Sequence, residues 1–179
     1  MSAIRLFVLG TLARQGPLHG HGIRRAAQID RTELWADVKP GSLYGALGRM
    51  AEDGLIEAVC TQREGNLPER TVYGITESGR AELRRLQLAV IADARFRPDP
   101  VDLALAFSDD VPRSVLREHV ERRRRDFAEK LAFFRELSER AQPHLEGLEP
   151  LMFRHTFARL EAEIAFHDEL LEHLAKGQA

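Results

Sequence analysis

The order of the first five predicted elements constrains the fold of this 179-residue chain most strongly. Three short helix-forming segments are followed directly by two strand-forming segments. The first helix is predicted over residues 3–14 and ends at Gly16-Pro17, and the second is predicted over residues 20–29. Pro40-Gly41-Ser42 is typical of a turn, after which a third helix is predicted over residues 43–53. The apolar face of the first helix is predicted to comprise Ile4, Phe7, Val8, Thr11 and Leu12.

The third helix carries a single apolar stripe. Leu43, Leu47 and Met50 stand at i, i+4 and i+7, so they share the face that we expect to be buried. The Ser42 hydroxyl is suited to cap this helix, and Gly54 is suited to end it in a left-handed conformation. The opposite face is left free for a partner.

Two strands are predicted next, over residues 55–62 and 70–76, with a polar loop over residues 63–69 between them. Thr76 is expected to cap a fourth helix that runs to about residue 93. A seven-residue polar hairpin loop is long for a simple connection and is typical of a functional loop. This order of elements predicts a winged helix-turn-helix, whose third helix enters the major groove of DNA.

The segment Arg95-Phe96-Arg97-Pro98-Asp99-Pro100 predicts a domain boundary, because two prolines stop a helix arriving from the left. We therefore expect two domains, residues 1–95 and 96–179. The second domain is predicted to be helical, with long helices over about residues 112–141 and 150–176. Ser108, Asp109 or Asp110 would cap the first of these. The predicted fold is mainly α with a small β-hairpin.

In the final helix the distance between successive apolar residues alternates between four and three positions. This is coiled-coil spacing, and it requires a partner helix. Two long amphipathic helices make a thin core, so we expect them to pair with the same helices of a second chain as a two-fold dimer. The residues predicted to form this dimerisation seam are Phe153, Phe157, Leu160, Ile164, His167, Leu171 and Leu174.

Composition excludes several classes of protein. The net charge is −2, with 13 basic against 11 acidic residues before the boundary and 13 against 17 after it, so a basic nucleic-acid coat is excluded. No stretch is long and apolar enough to span a bilayer, and no signal peptide is evident at the start. The only cysteine, Cys60, excludes an internal disulfide and a multi-cysteine zinc site. No enzyme motif is present, and we predict a soluble cytoplasmic protein without a cofactor.

Three segments resemble PadR-type transcriptional regulators. Residues 43–50 with 52–56 resemble the family's recognition helix, and residues 72–80 resemble the second wing strand and the helix after it. Pro17-Leu18-His19-Gly20 resembles the family's turn before the second helix. The chain departs from the family at His21, where Tyr is usual, and at Gly45 and Gly48, where bulkier residues are usual. These glycines either allow close approach of the backbone to DNA or are changes without a function that an exposed face tolerates.

The resemblance implies a cytoplasmic, homodimeric repressor that binds double-stranded DNA at an inverted-repeat operator. It also implies release when a small-molecule effector or a stress signal arrives. We expect the effector to change the angle between the rear helices and the winged heads. The alternative is a winged-helix adaptor that binds proteins and does not read DNA, which the nearly neutral first domain leaves open.

The predicted DNA contacts lie in three groups. Tyr44 and Arg49 lie off the buried stripe of the third helix, where Tyr is suited to a phosphate and Arg to guanine. Lys39 and Ser42 stand at the start of that helix, where backbone N–H groups also favour phosphate. Weaker candidates, for which a solvated surface is an equal alternative, are Arg63, Asn66 and Arg70 of the wing and Arg24 and Arg25 of the second helix.

Other notable residues are given structural interpretations. Arg122 to Arg125 fan around a helix, and we expect ion pairs of Arg122 with Glu118 and of Arg125 with Glu121. His167 is interpreted as a hydrogen-bonded interface residue, not a metal ligand, and His19 and His21 are assigned to a turn. Trp35 either packs at a helix corner or lines an effector pocket.

Overall fold

The computed structural model describes residues 3–29, 43–62, 70–96 and 98–176. The chain divides into two compact units, Met1–Phe96 and Arg97–Ala179, one residue from the predicted boundary. The described elements of the first unit are α1 (Ala3–Gln15), β1 (Leu18–His19), α2 (Gly20–Ile29), α3 (Leu43–Glu52), β2 (Ile56–Gln62), β3 (Arg70–Ile75) and α4 (Glu77–Ile91). Those of the second are α5 (Pro100–Ala106), α6 (Arg113–Ala141), a 3-10 turn (Gln142–His144) and α7 (Glu149–Lys176).

The core of the first unit lies where α1, α3 and α4 meet. The predicted stripe of α3 is buried, with Leu43, Leu47 and Met50 at most 3% exposed. On α1 the prediction missed Leu9, which is fully buried. The left-handed glycines, Gly16 at φ 81° and Gly54 at φ 67°, follow α1 and α3 as predicted. The main core residues are Val8, Leu9, Leu12, Ile23, Leu43, Leu47, Met50, Leu55, Ile56, Leu83 and Leu86.

The sheet has three strands in the order β1-β3-β2, whereas the sequence predicts two. Leu18 pairs with Tyr73 and His19 pairs with Val72, both antiparallel. A strand of two residues has no alternation that a sequence pattern can detect, so the segment was predicted as a turn. The added strand carries His19 to the edge of the sheet, next to the first turn of α2.

Thr76 caps α4 as predicted. Its Oγ1 accepts from the Gly79 N–H at 3.0 Å and lies 2.8 Å from the Gly54 carbonyl oxygen, to which it donates. The Leu55 carbonyl oxygen accepts from the Thr76 N–H at 3.1 Å. The cap therefore joins the start of α4 to the turn after α3.

The second unit is built on α6 packed along α7. The predicted cap of α6 by Ser108, Asp109 or Asp110 is wrong, because the preceding residue is Pro112, which makes no side-chain cap. The Ser108 hydroxyl donates instead to the Leu105 carbonyl oxygen at 2.8 Å. The residues of α6 that are buried are Val120, Leu131 and Phe134.

The partner helix that the seam of α7 requires is α6 of the same chain. Phe153, His167 and Leu174 are buried within one chain, so these three side chains are covered without a second copy. The Nε2 atom of His167 accepts from Arg123 Nε at 3.1 Å, and its Nδ1 lies 2.7 Å from the Glu163 carbonyl oxygen. The other four seam residues, Phe157, Leu160, Ile164 and Leu171, are half-buried, and their role in a dimer stays a prediction.

The arginine run makes ion pairs between elements, where the sequence predicts pairs within one helix. Arg123 Nη2 donates to Asp99, the cap of α5, at 2.7 Å, and Arg124 Nε donates to Asp168 of α7 at 2.7 Å. Glu121, which was expected to pair with Arg125, accepts from Arg117 at 2.9 Å. Spacing along one helix does not reveal such pairs, because their partners come from other elements.

The Arg124–Asp168 pair predicts an acid dependence of stability. The hydrogen bond from Arg124 holds the pKa of Asp168 below its ordinary value. A carboxyl whose pKa is lowered by folding contributes stability above its unfolded pKa of about 3.9, and this is lost as the pH falls through the folded pKa. We expect Asp168→Asn to melt at a lower temperature than the unsubstituted chain near neutral pH.

Calorimetric melts across the acid range check this prediction. The difference in melting temperature should begin to close as the pH falls below about 4, and it should vanish below the lowered folded pKa of Asp168, where the carboxyl is protonated in both the folded and the unfolded state. Asp126→Asn, at an exposed position of α6, is the matched control and should melt like the unsubstituted chain. A difference in melting temperature that stays constant from neutral to acid pH would contradict the assignment of this stability to the Arg124–Asp168 pair.

Candidate nucleic-acid interface

The outward face of α3 is the first part of the candidate site. Tyr44, Gly45, Gly48 and Arg49 are exposed, while the apolar stripe of the same helix is buried. Tyr44 and Arg49 are separated by about 140° around the helix axis, since each residue turns the helix by about 100°. Gly45 and Gly48 lie between them. Around Gly45 and Gly48 the helix therefore has no side chain between these two polar residues, and the exposed Glu52 lies on the same strip at the end of the helix.

An open cleft adjoins the Tyr44 edge of this face. It lies between the first turn of α2, the side of α3 and the start of β3, and has a volume of about 280 Å³. We call it the α2–α3–β3 cleft, and its lining residues are His19, Gly20, His21, Tyr44, Leu47, Arg70, Thr71 and Tyr73. Two predicted DNA contacts that are 26 positions apart, Tyr44 and Arg70, thus line one cleft.

The Tyr44 ring is positioned by Gly20. A Cβ atom at residue 20 would lie 2.8 Å from Cε1 of Tyr44 and 3.3 Å from Cδ1 of Leu47. The ring therefore rests on the backbone of the first turn of α2, and 57% of the Tyr44 surface stays exposed. Its hydroxyl is the kind of group that donates to a phosphate oxygen.

Arg49 lies at a second cleft, of about 260 Å³, formed by α1, α3 and α4. Here Arg5 pairs with Asp53, and Arg85 donates two hydrogen bonds to Glu82 at 2.7 and 2.8 Å. The hydrogen bond from Arg85 holds the pKa of Glu82 below its ordinary value. Arg49 is thus beside a set of mixed charges, away from the cleft that Tyr44 and Arg70 share.

The other predicted contacts are placed as follows. Arg24 and Arg25 are exposed on α2, one turn after Gly20 and His21. Lys39, Ser42, Arg63 and Asn66 lie outside the described residues, as does Trp35, the candidate for an effector pocket.

Two residues that line the cleft were missed by the sequence analysis. His21 of α2 and Thr71 of β3 line the cleft beside Tyr44 and Arg70, although the sequence assigned His21 to a turn and gave Thr71 no role. The sequence offered one signal for His21, namely that it stands where the resembling family usually has Tyr. The pairing of β1 with β3 brings the two segments together, and this pairing is long-range.

Two other classes of site find no support in the described part of the chain. No cluster of three or more His, Cys, Asp or Glu residues suited to hold a metal occurs among these residues. Within the described ranges no helix has the length and apolar character that a bilayer crossing needs. The Cys60 thiol is free and exposed on β2.

A helix-turn-helix core with an outward-facing third helix and an adjoining antiparallel strand pair defines a winged helix-turn-helix protein. Residues 8–85 match the profile of the transcriptional regulator PadR-like family, and residues 100–175 match that of the virulence activator alpha C-terminal region. The first unit is thus similar to the PadR-like family of transcriptional regulators along most of its length, and the second unit matches a different profile.

Solved structures share the fold along almost the whole chain. Bacillus subtilis PadR in complex with operator DNA has a TM-score of 0.74 at 20% identity, covering 97% of this chain and 98% of that one. The same protein in complex with p-coumaric acid has a TM-score of 0.73 at 18% identity, covering 97% and 99%. The Vibrio cholerae virulence activator AphA has a TM-score of 0.73 at 20% identity, covering 97% and 99%. No curated protein matches the chain significantly.

Proposed function

We propose that this protein is a transcriptional repressor that binds an inverted-repeat operator as a homodimer and leaves it when a small-molecule or stress signal arrives. The observation that carries the proposal is the outward face of α3, which is exposed over Tyr44, Gly45, Gly48 and Arg49 and adjoins a cleft containing Arg70. The complexes of Bacillus subtilis PadR with operator DNA and with p-coumaric acid support the proposal for this chain.

A protein-binding adaptor is the competing function, and the salt dependence of DNA binding separates the two. Neutralising phosphates releases counterions, so the affinity of a DNA-binding protein falls steeply between about 50 and 200 mM salt. An operator selected from random duplex DNA by the purified protein is the probe. A reporter gene placed behind that operator should be transcribed less when the protein is present, whereas an activator would raise its transcription.

The homodimer is supported by apolar surface on α7 that α6 does not cover. Leu151, Met152 and Phe166 are 48%, 49% and 40% exposed in the single chain. Burying such surface favours association, and a two-fold dimer matches the symmetry of an inverted repeat. Light scattering should therefore give twice the mass of the chain in dilute solution.

We expect Tyr44→Ala and Arg70→Ala each to weaken binding to the selected operator by about tenfold, because a hydrogen bond to a charged group is worth about 1.5–3 kcal/mol. Fluorescence anisotropy with a labelled duplex measures the loss, and circular dichroism verifies folding. Arg70→Ala should also reduce the salt slope by about 0.9 per subunit.

Arg84→Ala is the matched control, since Arg84 is exposed on α4 of the same unit and lines neither cleft. It should bind the operator as tightly as the unsubstituted chain. Operator binding that both cleft variants retain in full would contradict the assignment of this cleft to DNA.

A further inference from the structure

Two histidines stand together at the rim of the α2–α3–β3 cleft. The rings of His19 and His21 are stacked, with centroids 6.1 Å apart and planes at 30°. His19 is half-buried at the end of β1, and His21 is exposed in the first turn of α2. Imidazole is the side chain whose charge changes just below neutral pH. The cleft therefore contains groups that can couple its occupancy to protons.

One hydrogen bond fixes the orientation of the His19 ring. Its Nδ1 accepts the Gly22 N–H at 2.8 Å, so that nitrogen carries no proton and the ring proton resides on Nε2. Protonating Nδ1 would break this bond and place two N–H donors against each other. The hydrogen bond from Gly22 thus leaves Nε2 as the His19 nitrogen that can donate to a ligand.

His21 has no such constraint. Within the described ranges its ring makes no hydrogen bond, so a second proton breaks no bond. The groups that face it across the cleft are His19 of β1, Tyr44 of α3, and Arg70 and Tyr73 of β3. Among the described residues no carboxylate lines the cleft, and the charged side chain that they place at its wall is the guanidinium of Arg70. A lining of this kind selects an anion.

A phosphodiester group fits these donors. Tyr44, Thr71, Arg70 and His19 each carry an N–H or O–H group on the cleft wall, and each can donate to a phosphate oxygen. A negative charge in the cleft also favours the charged form of the nearby imidazole. Phosphate binding and protonation of His21 therefore reinforce each other.

We propose that the α2–α3–β3 cleft binds one phosphate of the DNA backbone and that His21 takes up a proton on binding, so that DNA affinity rises as the pH falls towards about 6. The proposal rests on the function proposed above. It gives this chain a pH dependence through an exposed histidine in the first turn of α2.

A random-sequence duplex of about 30 base pairs is the probe, because a phosphate contact does not depend on base sequence. The affinity of the protein for this duplex is measured by fluorescence anisotropy at about pH 6 and about pH 8, at constant ionic strength. We expect the full-length protein to bind the duplex about tenfold more tightly per head at the lower pH. Calorimetry in buffers of different ionisation enthalpy should show proton uptake on binding.

His21→Gln and His21→Tyr should each remove most of this pH ratio, since neither side chain gains a proton in this range. His173→Gln, at an exposed position of α7, is the matched control and should keep the ratio of affinities at the two pH values.

Two results would overturn the proposal: equal affinity at both pH values in the unsubstituted chain, or a pH ratio that persists in both His21 variants. In each case DNA binding itself would remain, so the proposed function would stand. Absence of binding to the selected operator at both pH values is a different outcome and would reject the proposed function itself.

Discussion

Gly79→Ala is expected to lower the free energy of unfolding of the first unit by about 3 kcal/mol or more, the upper end of the cost of overfilling a packed site. Gly79 is buried in the first turn of α4, and a Cβ atom there would lie 2.0 Å from the Leu55 carbonyl oxygen and 2.8 Å from Cγ1 of Ile75. The first neighbour is backbone and cannot rotate away. Moving it also disturbs the Thr76 cap, because the Leu55 oxygen accepts from the Thr76 N–H.

Urea unfolding followed by circular dichroism measures the effect, and hydrogen exchange at Leu9 and Leu47 assigns it to the first unit. Gly48→Ala is the matched control, since no heavy atom lies within 4 Å of a Cβ added at that helical position. It should raise stability by about 0.5–1 kcal/mol, the helix-propensity difference between the two residues. A Gly79→Ala protein as stable as the parent would show that the contact between α4 and the turn after α3 is looser than described.

Gly48→Glu is expected to weaken operator binding by about 100-fold while leaving the fold intact. Gly48 is exposed near the centre of the outward face of α3, so a carboxylate there would meet DNA phosphates. Opposing like charges across an interface costs several kcal/mol, and about 2.8 kcal/mol corresponds to 100-fold in affinity. Glu is a better helix former than Gly, so the unfolding free energy should not fall.

Gly48→Gln separates charge from size, because it has the same length without the negative charge. Its loss of affinity should be smaller than that of Gly48→Glu, and the difference should shrink as salt is added. Glu57→Gln on the exposed surface of β2 is a second control that changes a charge away from α3. Operator affinity that survives Gly48→Glu would show that another surface faces the DNA.

Helix ends and strand positions in this chain were largely predictable because they depend on local chemistry. Gly16 and Gly54 end helices in the left-handed conformation, and the Thr76 hydroxyl caps α4, as their residue types predict. The buried stripe of α3 was likewise predictable, since its spacing fixes which residues share a face.

Contacts between distant segments were not predictable. The pairing of β1 with β3 places His21 and Thr71 beside Tyr44 and Arg70, and the ion pairs of Arg123 and Arg124 reach α5 and α7. Periodicity within one element identifies a face but not what covers that face. For the same reason the seam of α7 indicated a partner helix without indicating that α6 of the same chain is one.

The sequence alone determined the order of elements, the buried stripe of α3 and the resemblance to PadR-type regulators, because each depends on residues close together in the chain. Only the tertiary structure decided which side chains share the candidate site: it put Tyr44 with Arg70 and the two histidines, and it put Arg49 at another cleft. The physical reason is that a binding site is formed where separate elements pack, and the packing is set by long-range contacts that local spacing does not encode.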